Sequence, residues 1–556
     1  MYKPKILDTL KGYNKEQFLK DLMSGIIVGI VALPLAIAFG IASGVTPEKG
    51  LFTAIIAGFL ISLLGGSRVQ IGGPTGAFIV IVYGIVQQFG VDGLIIATFI
   101  AGIMLIIMGI LRLGSLIKFI PHPLIVGFTT GIAVIIFSSQ MKDFLGLKMG
   151  AVPSGFIDKW IAFAQHISSV NPYAIGLALI TMFITQTWGR ITPKIPGSLI
   201  AIIVTTLIVM FFPSIGGYSV ETIGSKFGAI KSSFPGLVVP HLDWASIQLL
   251  IRPAFTIALL GGIESLLSAV VADGMTGGHH RSNVELIAQG IANLASAAFG
   301  GIPATGAIAR TATNVKNGGR TPIAGMIHAV TLLLIVLFVG KWAALIPMAS
   351  LAGILVIVSY NMSEWRNFLS ITKSRSTDTL ILVATFLLTV LVDLTVAIEV
   401  GMMLATVLFM RKMTQASNVR DLTAGIEEKD PASDSDATSD YKLPKRVAVF
   451  EINGPLFFGA AYKFKDAMMH IEHQPRVLII RMRNVPIIDA TGARTLEEVE
   501  RECREQGIKL ILAEITSEQV MEELDKYRLL FRIGKGNIVP TMQDAVSRSE
   551  VVLAGK

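Results

Sequence analysis

The chain has 556 residues, of which 52% are hydrophobic and only 15% are charged, and its mean hydropathy is +0.65. A soluble chain carries about 25% charged residues, so this composition excludes an ordinary soluble enzyme. Apolar residues dominate from Asp21 to about Met410. In such a chain we interpret the net charge of +8 first as a signal of membrane topology, and only second as a hint of nucleic acid binding. The single cysteine, Cys503, excludes an internal disulfide.

The first twenty residues are polar and contain five lysines. They include no short apolar stretch followed by a small-residue cleavage site, so a secretory signal peptide is not indicated. We predict that residues 1–20 form a cytoplasmic N-terminal segment and that the first apolar run is a retained membrane span.

Residues 21–412 are predicted to form a transmembrane domain. A span needs roughly 17–25 mostly apolar residues, and windows of that length predict about fourteen segments, some too short to cross alone. The segments begin near Asp21, Gly50, Pro74, Gly93, Ile120, Pro172, Pro196, Pro253, Val284, Pro303, Pro322, Ile346, Thr377 and Val396. The predicted fold class is therefore a polytopic α-helical membrane protein.

Basic residues are distributed unevenly over the predicted loops. Loops after even-numbered segments carry Arg68, Arg112, Lys118, Arg190, Lys194, Arg281, Lys316, Arg320, Arg366, Lys373 and Arg375. The opposite loops carry fewer basic residues, most of them lysines. Because cytoplasmic loops are enriched in Lys and Arg, both termini are predicted to lie in the cytoplasm.

Two segments open with the same kind of interruption. Residues 72–77 read Gly-Gly-Pro-Thr-Gly-Ala, and residues 300–307 read Gly-Gly-Ile-Pro-Ala-Thr-Gly-Ala. Paired glycines and prolines stop a helix, so each motif predicts extended residues followed by a half-helix. Seven segments per repeat is an odd number, so the second half would be inverted, and such paired interruptions indicate a midplane binding site. The alternative is a pair of ordinary Gly/Pro kinks.

Half-helices of this kind favour an anion as the ligand. The first backbone amides of a helix are unpaired, and the helix dipole is positive at that end. The half-helices predicted to begin near Thr75 and Thr305 point toward one place if the two halves are inverted. Gly76 and Gly306 allow a ligand to approach the backbone closely, and the two threonine hydroxyls are additional donors.

Two charged residues are predicted at the depth of this site. Arg310 follows the second motif by about one turn, and a charge there costs at least roughly 2.5–3.5 kcal/mol, so we interpret it as the anion's counter-charge. Glu264 lies inside the eighth segment, where a carboxyl group can bind a proton and couple proton movement to anion movement. The alternatives are a salt bridge of Arg310 that stabilises the fold and a permanent Glu264–Arg310 pair.

The other polar residues of the apolar region are given structural interpretations. We assign to capping, packing or loop structure Ser268, Asp273, His279, His280, His328, Asp393 and Glu399. The sequence contains no GxxxxGK[ST] phosphate loop, metal-ligand cluster or recognisable nucleophile–base motif. We therefore predict no metal, no cofactor and no enzymatic activity.

The C-terminal part of the chain has the composition of a soluble domain. Residues 413–443 are rich in Asp and Glu and are predicted to be a flexible, solvated linker. Residues 444–556 are predicted to form a small α/β domain. Strands are predicted at 446–452, 476–482 and 508–514, and amphipathic helices at 462–472, 493–506 and 517–526.

One turn of this domain has a distinctive sequence, Asp489-Ala490-Thr491-Gly492, between a predicted strand and a predicted helix. Asp489 or Thr491 can cap the helix. Thr491 is also a candidate regulatory phosphoacceptor, since a negative charge is tolerated at a helix N-terminus.

Together, these motifs resemble the SulP family of anion transporters, whose animal relatives include pendrin and prestin. The resemblance is carried by residues 73–76, 263–267, 272–276 and 300–314, and the tail resembles a STAS domain. It implies a seven-plus-seven inverted repeat with core and gate domains, an elevator-like motion and a homodimer in the bacterial inner membrane, with the STAS domain in the cytoplasm. The implied anion contacts are Thr75, Gly76, Ala77, Phe78, Ala307, Ile308, Ala309 and Arg310.

Two departures from the family pattern bear on the substrate. Animal members often carry Gln after the first-span proline, whereas here Leu35 follows Pro34. Sodium-coupled bicarbonate members resemble this chain with Asp at the position of Glu264 and lack an arginine at Arg310, so Arg310 favours proton over sodium coupling. The motifs are most similar to the bacterial branch that moves C4-dicarboxylates with protons, many relatives of which are called sulfate permeases.

The leading hypothesis is proton-coupled uptake of a dicarboxylate (fumarate or succinate) or sulfate. The alternatives on the same fold are a bicarbonate transporter and an uncoupled anion exchanger or channel. An alternative of another class is a membrane-anchored anion sensor that signals through the STAS domain. The implied partners are the anion, a proton, the lipid bilayer, a second copy of the chain and a cytosolic protein at the STAS domain, but no nucleic acid.

Overall fold

The computed structural model describes most of the chain. The described residues are 2–115, 120–150, 152–192, 195–228, 236–238, 244–374, 377–416, 418–422, 443–457, 464 and 475–555. The chain forms two compact units, residues 1–405 and residues 406–556.

The first unit is helical almost throughout. Its helices are α1 (Ile6–Thr9), α2 (Lys15–Ala42), α3 (Pro47–Leu64), α4 (Phe78–Ile110), α5 (His122–Leu145), α6 (Phe156–Gln165), α7 (Pro172–Ile191), α8 (Gly197–Phe211), α9 (Ile223–Phe227), α10 (Trp244–Thr276), α11 (Ser282–Ala298), α12 (Ile308–Lys316), α13 (Pro322–Ala343), α14 (Met348–Met362), α15 (Trp365–Lys373), α16 (Thr377–Leu391) and α17 (Leu394–Ala416), the last of which continues into the second unit. Four two-residue strands accompany them: β1 (Gly72–Gly73), β2 (Ser214–Ile215), β3 (Tyr218–Ser219) and β4 (Thr305–Gly306).

The apolar segments of the sequence become helices at the predicted places. Among the described residues, eight helices are long and apolar enough to cross a membrane. The third and fourth predicted segments are joined in α4, where Gly90 (φ 70°) interrupts the helical backbone. Each remaining segment coincides with one helix. The polytopic helical architecture is confirmed, and the number of spans stays a prediction.

Several helices start where the sequence supplies a first-turn proline. Pro47, Pro172 and Pro322 each stand in the first turn of a helix, where the missing N–H costs no intrahelical hydrogen bond. The side chain of Asn171 accepts from the amides of Tyr173 and Ala174 and thereby caps α7. Local sequence therefore determines these boundaries.

The long helices of the first unit pack as two bundles. The first bundle contains α2, α3, α4, α10, α11, α12 and α13, and the second contains α5, α7, α8, α14 and α16. Gly401 of α17 lies directly against Thr385 and Leu124, so α17 packs on the second bundle. The two bundles correspond to the expected core and gate domains.

The two Gly/Pro interruptions meet at the centre of the first bundle. β1 and β4 pair antiparallel, with Gly72 opposite Gly306 and Gly73 opposite Thr305. As predicted, the residues before each half-helix are extended. The pairing joins the two halves of the chain, and the half-helices of α4 and α12 each follow one strand of this two-stranded element.

The second unit is an α/β domain with a five-stranded sheet. Its elements are β5 (Asn418–Asp421), β6 (Val447–Asn453), β7 (Val477–Asn484), α18 (Ala490–Glu505), β8 (Lys509–Ala513), α19 (Glu518–Lys526), α20 (Leu529–Ile533), β9 (Ile538–Val539) and α21 (Met542–Leu553). The strand order is β5-β6-β7-β8-β9, and only β5 runs antiparallel to its neighbour.

Alternating side chains of the strands fill two cores in this unit. Phe450 and Ile480 belong to the core that also contains Leu496 of α18, whereas Val449 and Ile479 belong to the core that contains Met542 of α21. Because successive side chains of a strand point to opposite faces, both faces of the sheet are covered. The three strands predicted for this domain are present.

The start of the predicted linker needs a correction. Residues 413–443 were expected to be linker throughout, but α17 continues to Ala416 and β5 pairs with β6 at residues 418–421. The acidic stretch begins only after β5. Because the composition was averaged over the whole segment, it did not indicate this strand. The predicted helix at 462–472 lies outside the described residues except for Phe464, as does most of the acidic stretch.

Candidate anion site between two half-helices

The two half-helices begin three residues later than predicted. α4 starts at Phe78 and α12 at Ile308, whereas the sequence placed the starts near Thr75 and Thr305. In the second motif, residues 305–306 after Pro303 form β4 and pair with β1, and in the first motif Gly76 and Ala77 form a turn before the helix. The predicted N-terminal ends therefore exist, displaced along the chain.

The first turns of these half-helices retain unpaired amides. Within the part of the chain that the structure describes, no acceptor is found for the backbone N–H groups of Gly76, Ala77, Ile308 or Ala309. Such groups need water or a ligand as a partner, and their partial positive charge favours an anion.

Arg310 brings a full positive charge to the same place. It lies in the first turn of α12 and is only 3% exposed. Its Nη2 donates to the carbonyl oxygen of Pro74, in the first motif, and Nη1 has no hydrogen-bond partner among the described residues. A buried guanidinium with a free N–H group is an unsatisfied donor aimed at the junction of the two motifs.

Glu264 also faces the first motif. Its Oε2 accepts a hydrogen bond of 2.7 Å from the hydroxyl of Thr75, and both side chains are half-buried. No salt bridge joins Glu264 to Arg310, although the two groups interact electrostatically. The alternative of a permanent contact pair is therefore absent from this structure, and Arg310 remains available to another anion.

Thr305 does not occupy the position predicted for it. It is fully buried in β4, and its hydroxyl donates to the carbonyl oxygen of Gly261 at 2.7 Å. This bond joins β4 to α10 and contradicts the predicted contact between the Thr305 hydroxyl and the anion. The equivalence of the two motifs in sequence thus does not extend to their threonines.

A buried polar network lies behind the site, and sequence reasoning missed it. The Nε2 of Gln70 donates to the hydroxyl of Ser265 at 2.9 Å, and this hydroxyl donates to Glu285 Oε1 at 3.2 Å. Glu285 Oε2 accepts from the amides of Gly66 and Ser67 at 2.8 and 3.1 Å. Gln70 and Glu285 are polar residues in apolar surroundings, which is the signal that singled out Arg310 and Glu264. Glu285 was overlooked because acids are common in a helix's first turn.

Several other polar residues of the apolar region have identifiable partners, and Glu399 does not cap a helix as expected, because it lies within α17. The Ser268 hydroxyl donates to Thr311, Asp273 accepts from His280, Asp393 accepts from the amide of Val396, and Glu399 pairs with Arg252. In the second unit, Asp489 accepts from the amide of Gly492 and caps α18, and Thr491 is exposed in the first turn. No group of three potential His, Cys, Asp or Glu ligands is found among the described residues.

Comparison with known protein families identifies the two parts of this architecture. The family described as the sulfate permease family matches residues 18–385, and the STAS domain family matches residues 439–545. The chain belongs to the sulfate permease family. Members of this family are anion transporters and not enzymes, so the chain is a multi-pass anion transporter with a C-terminal STAS domain.

Two relatives align with the sulfate permease chain along most of its length. The Bacillus subtilis (strain 168) protein YvdB, which is named for sulfate transport, is 43% identical over 531 residues, 94% of this chain and 96% of the relative. The bicarbonate transporter BicA of Picosynechococcus sp. is 31% identical over 549 residues, 95% of this chain and 94% of the relative. The family therefore includes relatives named for two different anions.

Solved structures show the same fold. The transmembrane domain of a cyanobacterial BicA superposes with a TM-score of 0.63 at 34% identity, covering 69% of this chain and 98% of that one. The murine anion transporter Slc26a9, in an inward-facing state, superposes with a TM-score of 0.87 at 18% identity, covering 99% and 94%. At that identity the second likeness concerns the fold alone.

Proposed function

We propose that this sulfate permease takes up a divalent anion, a C4-dicarboxylate or sulfate, together with a proton. The anion binds at the two half-helix starts, which move between the two sides of the membrane by an elevator-like displacement of the first bundle against the second. The proposal includes a homodimer in a bacterial inner membrane, with both termini and the STAS domain in the cytoplasm.

One observation carries the proposal: a buried arginine with a free N–H group lies between two half-helix N-termini. The helix ends supply only about half an elementary charge each, which suffices for a monovalent anion. Arg310 adds a full charge, and among the described residues no carboxylate contacts its guanidinium group. This surplus of positive charge supports a dianion as the substrate.

Glu264 is proposed as the proton carrier. It lies within α10, accepts a hydrogen bond from Thr75 of the first motif, and is near enough to Arg310 to interact with it electrostatically. A carboxylate in this position competes with the anion for the same positive charge. Protonation of Glu264 removes that competition, so proton binding and anion binding favour each other.

Replacement of Glu264 by glutamine tests the coupling. Glu264→Gln keeps the shape and the acceptor for Thr75 but removes the titrating group, so accumulation driven by an inward proton gradient should be lost while exchange at equal pH persists. Uptake of labelled succinate, fumarate and sulfate into proteoliposomes measures both. Glu16→Gln is the control, because it removes a largely exposed carboxylate outside the site. Full accumulation by Glu264→Gln would falsify the coupling role.

Bicarbonate is the second candidate substrate. BicA, which is named as a bicarbonate transporter, is 31% identical to the chain along nearly its whole length. Uptake of labelled bicarbonate into the same proteoliposomes, measured under a proton gradient and under a sodium gradient, distinguishes the two hypotheses. Accumulation of bicarbonate with sodium and none of a dicarboxylate or sulfate with protons would replace the first proposal by the second.

A further inference from the structure

We infer that Met362, on the second bundle, limits the size of the anion held by the first. The inference rests on the anion site proposed above, and it adds a specificity-determining residue on a helix that contains none of the predicted anion contacts. Met362 is the last residue of α14 and is partly exposed.

The geometry at Gly76 places Met362 over the first half-helix. A methyl group built on Gly76 would lie 3.2 Å from Met362 Sδ, 3.7 Å from Ile136 Cδ1 and 3.8 Å from Phe39 Cε1. Ile136 belongs to α5 of the second bundle, and Phe39 to α2 of the first. The space beside an unpaired amide of the half-helix is therefore closed by three apolar side chains, two of them from the opposite bundle.

These three side chains differ in how far they can yield. Ile136 is fully buried, Phe39 is nearly so, and Met362 is the partly exposed member. A methionine has an unbranched, adaptable side chain whose far end can move without shifting the backbone. Met362 therefore defines the movable boundary of the space, whereas Ile136 and Phe39 define fixed ones.

The two bundles accordingly contribute different properties to recognition. The first bundle supplies the charge through Arg310 and the unpaired amides, and the second supplies an apolar boundary that offers the anion no hydrogen bond. Such a boundary discriminates between anions by their volume, and one additional methylene group on the anion changes the affinity by about 10- to 200-fold. Bulkier anions should be rejected by contact with Met362 rather than by loss of an electrostatic interaction.

A series of linear dicarboxylates tests this inference, because the charge stays constant while the length increases. Malonate, succinate, glutarate and adipate are titrated calorimetrically against the full-length protein, without any gradient. We expect Met362→Ala to raise the affinity for the shortest dicarboxylate that the wild type excludes by about tenfold or more, relative to its affinity for succinate. Met141→Ala is the matched control, since it truncates another methionine that packs among Leu147, Phe163 and Val356 instead.

A double mutant makes the test reciprocal. Gly76→Ala adds a methyl group beside Met362 Sδ and should shift the limit toward shorter anions, and Gly76→Ala combined with Met362→Ala should restore it. The inference is overturned if the length limit is unchanged in folded Met362→Ala, or in the milder Met362→Val should the alanine variant be unstable. It is also overturned if the double mutant does not restore the limit that Gly76→Ala shifts. If the wild type binds no dicarboxylate, the dicarboxylate proposal fails by itself, and formate, acetate and propionate test the same boundary.

Discussion

At the scale of single residues, Arg310 connects the two Gly/Pro motifs of the proposed anion site. It stands in α12 and donates to the carbonyl oxygen of Pro74, 236 positions earlier in the chain. A methyl group on Gly73, whose φ is 146°, would lie only 2.7 Å from Arg310 Nη1. Glycine at position 73 is therefore required both by the backbone conformation and by the approach of the guanidinium.

Replacement of Arg310 should affect divalent anions more than monovalent ones. Arg310→Ala removes a charge-assisted contact worth roughly 1.5–3 kcal/mol, or about ten- to a hundredfold in affinity. The loss should be largest for a dianion, because the half-helix dipoles supply only about half an elementary charge each. Binding of succinate or sulfate should collapse, whereas bicarbonate or chloride should weaken less. Arg310→Lys should retain only part of the affinity, because an ammonium group lacks the planar, two-pronged donor geometry of a guanidinium group.

The ratio of the two losses is the informative quantity in this experiment. Arg310→Ala also leaves the Pro74 carbonyl without its donor, and that effect is common to all anions. Calorimetric titration of both anion classes against each purified variant gives the ratio. Equal losses for monovalent and divalent anions would mean that Arg310 supports the fold instead of the substrate.

At the scale of elements, the β1–β4 pair depends on close packing around Gly306. A methyl group on Gly306 would lie 1.5 Å from Gln70 Nε2, so the Gln70 amide occupies the space of a side chain at that position. The amide donates in turn to Ser265, which is bonded to Glu285. The buried network thus holds the strand pair from which both half-helices start.

Gly306→Ala should destabilise the first unit by about 1–3 kcal/mol, because it displaces Gln70 from its buried partners. Gly84→Ala is the control: Gly84 lies in α4, where a methyl group would meet nothing within 4 Å. That control should be neutral or slightly stabilising, since alanine favours a helix over glycine. Thermal unfolding in detergent compares the two, and equal midpoints would remove the proposed role of Gln70.

At the scale of the whole molecule, the chain divides into a membrane unit and a soluble unit, each with its own packed interior. The soluble unit includes β5, which directly follows α17 and pairs with β6. A truncation at the acidic stretch, around Leu443, would therefore keep β5 but remove the strand that pairs with it. The better boundary for separating the units lies after Ala416.

Truncation after Ala416 should leave a folded membrane unit that binds the anion with an affinity within about threefold of the full chain, because the site residues all belong to the first unit. Truncation after Leu443 should bind equally well but aggregate more, since β5 then has an unpaired edge. Calorimetry and size-exclusion chromatography measure the two properties. A monodisperse unit ending at Ala416 that binds no anion would show that the tail is needed for the site.

The sequence by itself determined the features that depend on neighbouring residues. Apolar runs gave the helices, the Gly/Pro motifs gave the extended breaks, and prolines and capping side chains such as Asn171 gave helix starts. The alternating strands of the C-terminal domain were equally readable. These signals are local, because backbone conformation and helix or strand periodicity are set within a few residues. The short edge strand β5 was not predicted, because it is defined by its pairing with β6, which lies beyond the acidic stretch in the sequence.

The tertiary structure decided which of two similar side chains faces the site. Thr75 and Thr305 occupy the same place in their motifs, yet the first bonds Glu264, 189 positions away, and the second bonds the backbone of Gly261. The contacts of Gln70 with Ser265 and of Met362 with the space beside Gly76 are likewise made between distant parts of the chain. No local pattern encodes such contacts, because they depend on how α10, α14 and the β1–β4 pair pack against one another. Residue types therefore predicted an anion site, and packing determined which side chains face the place proposed for it.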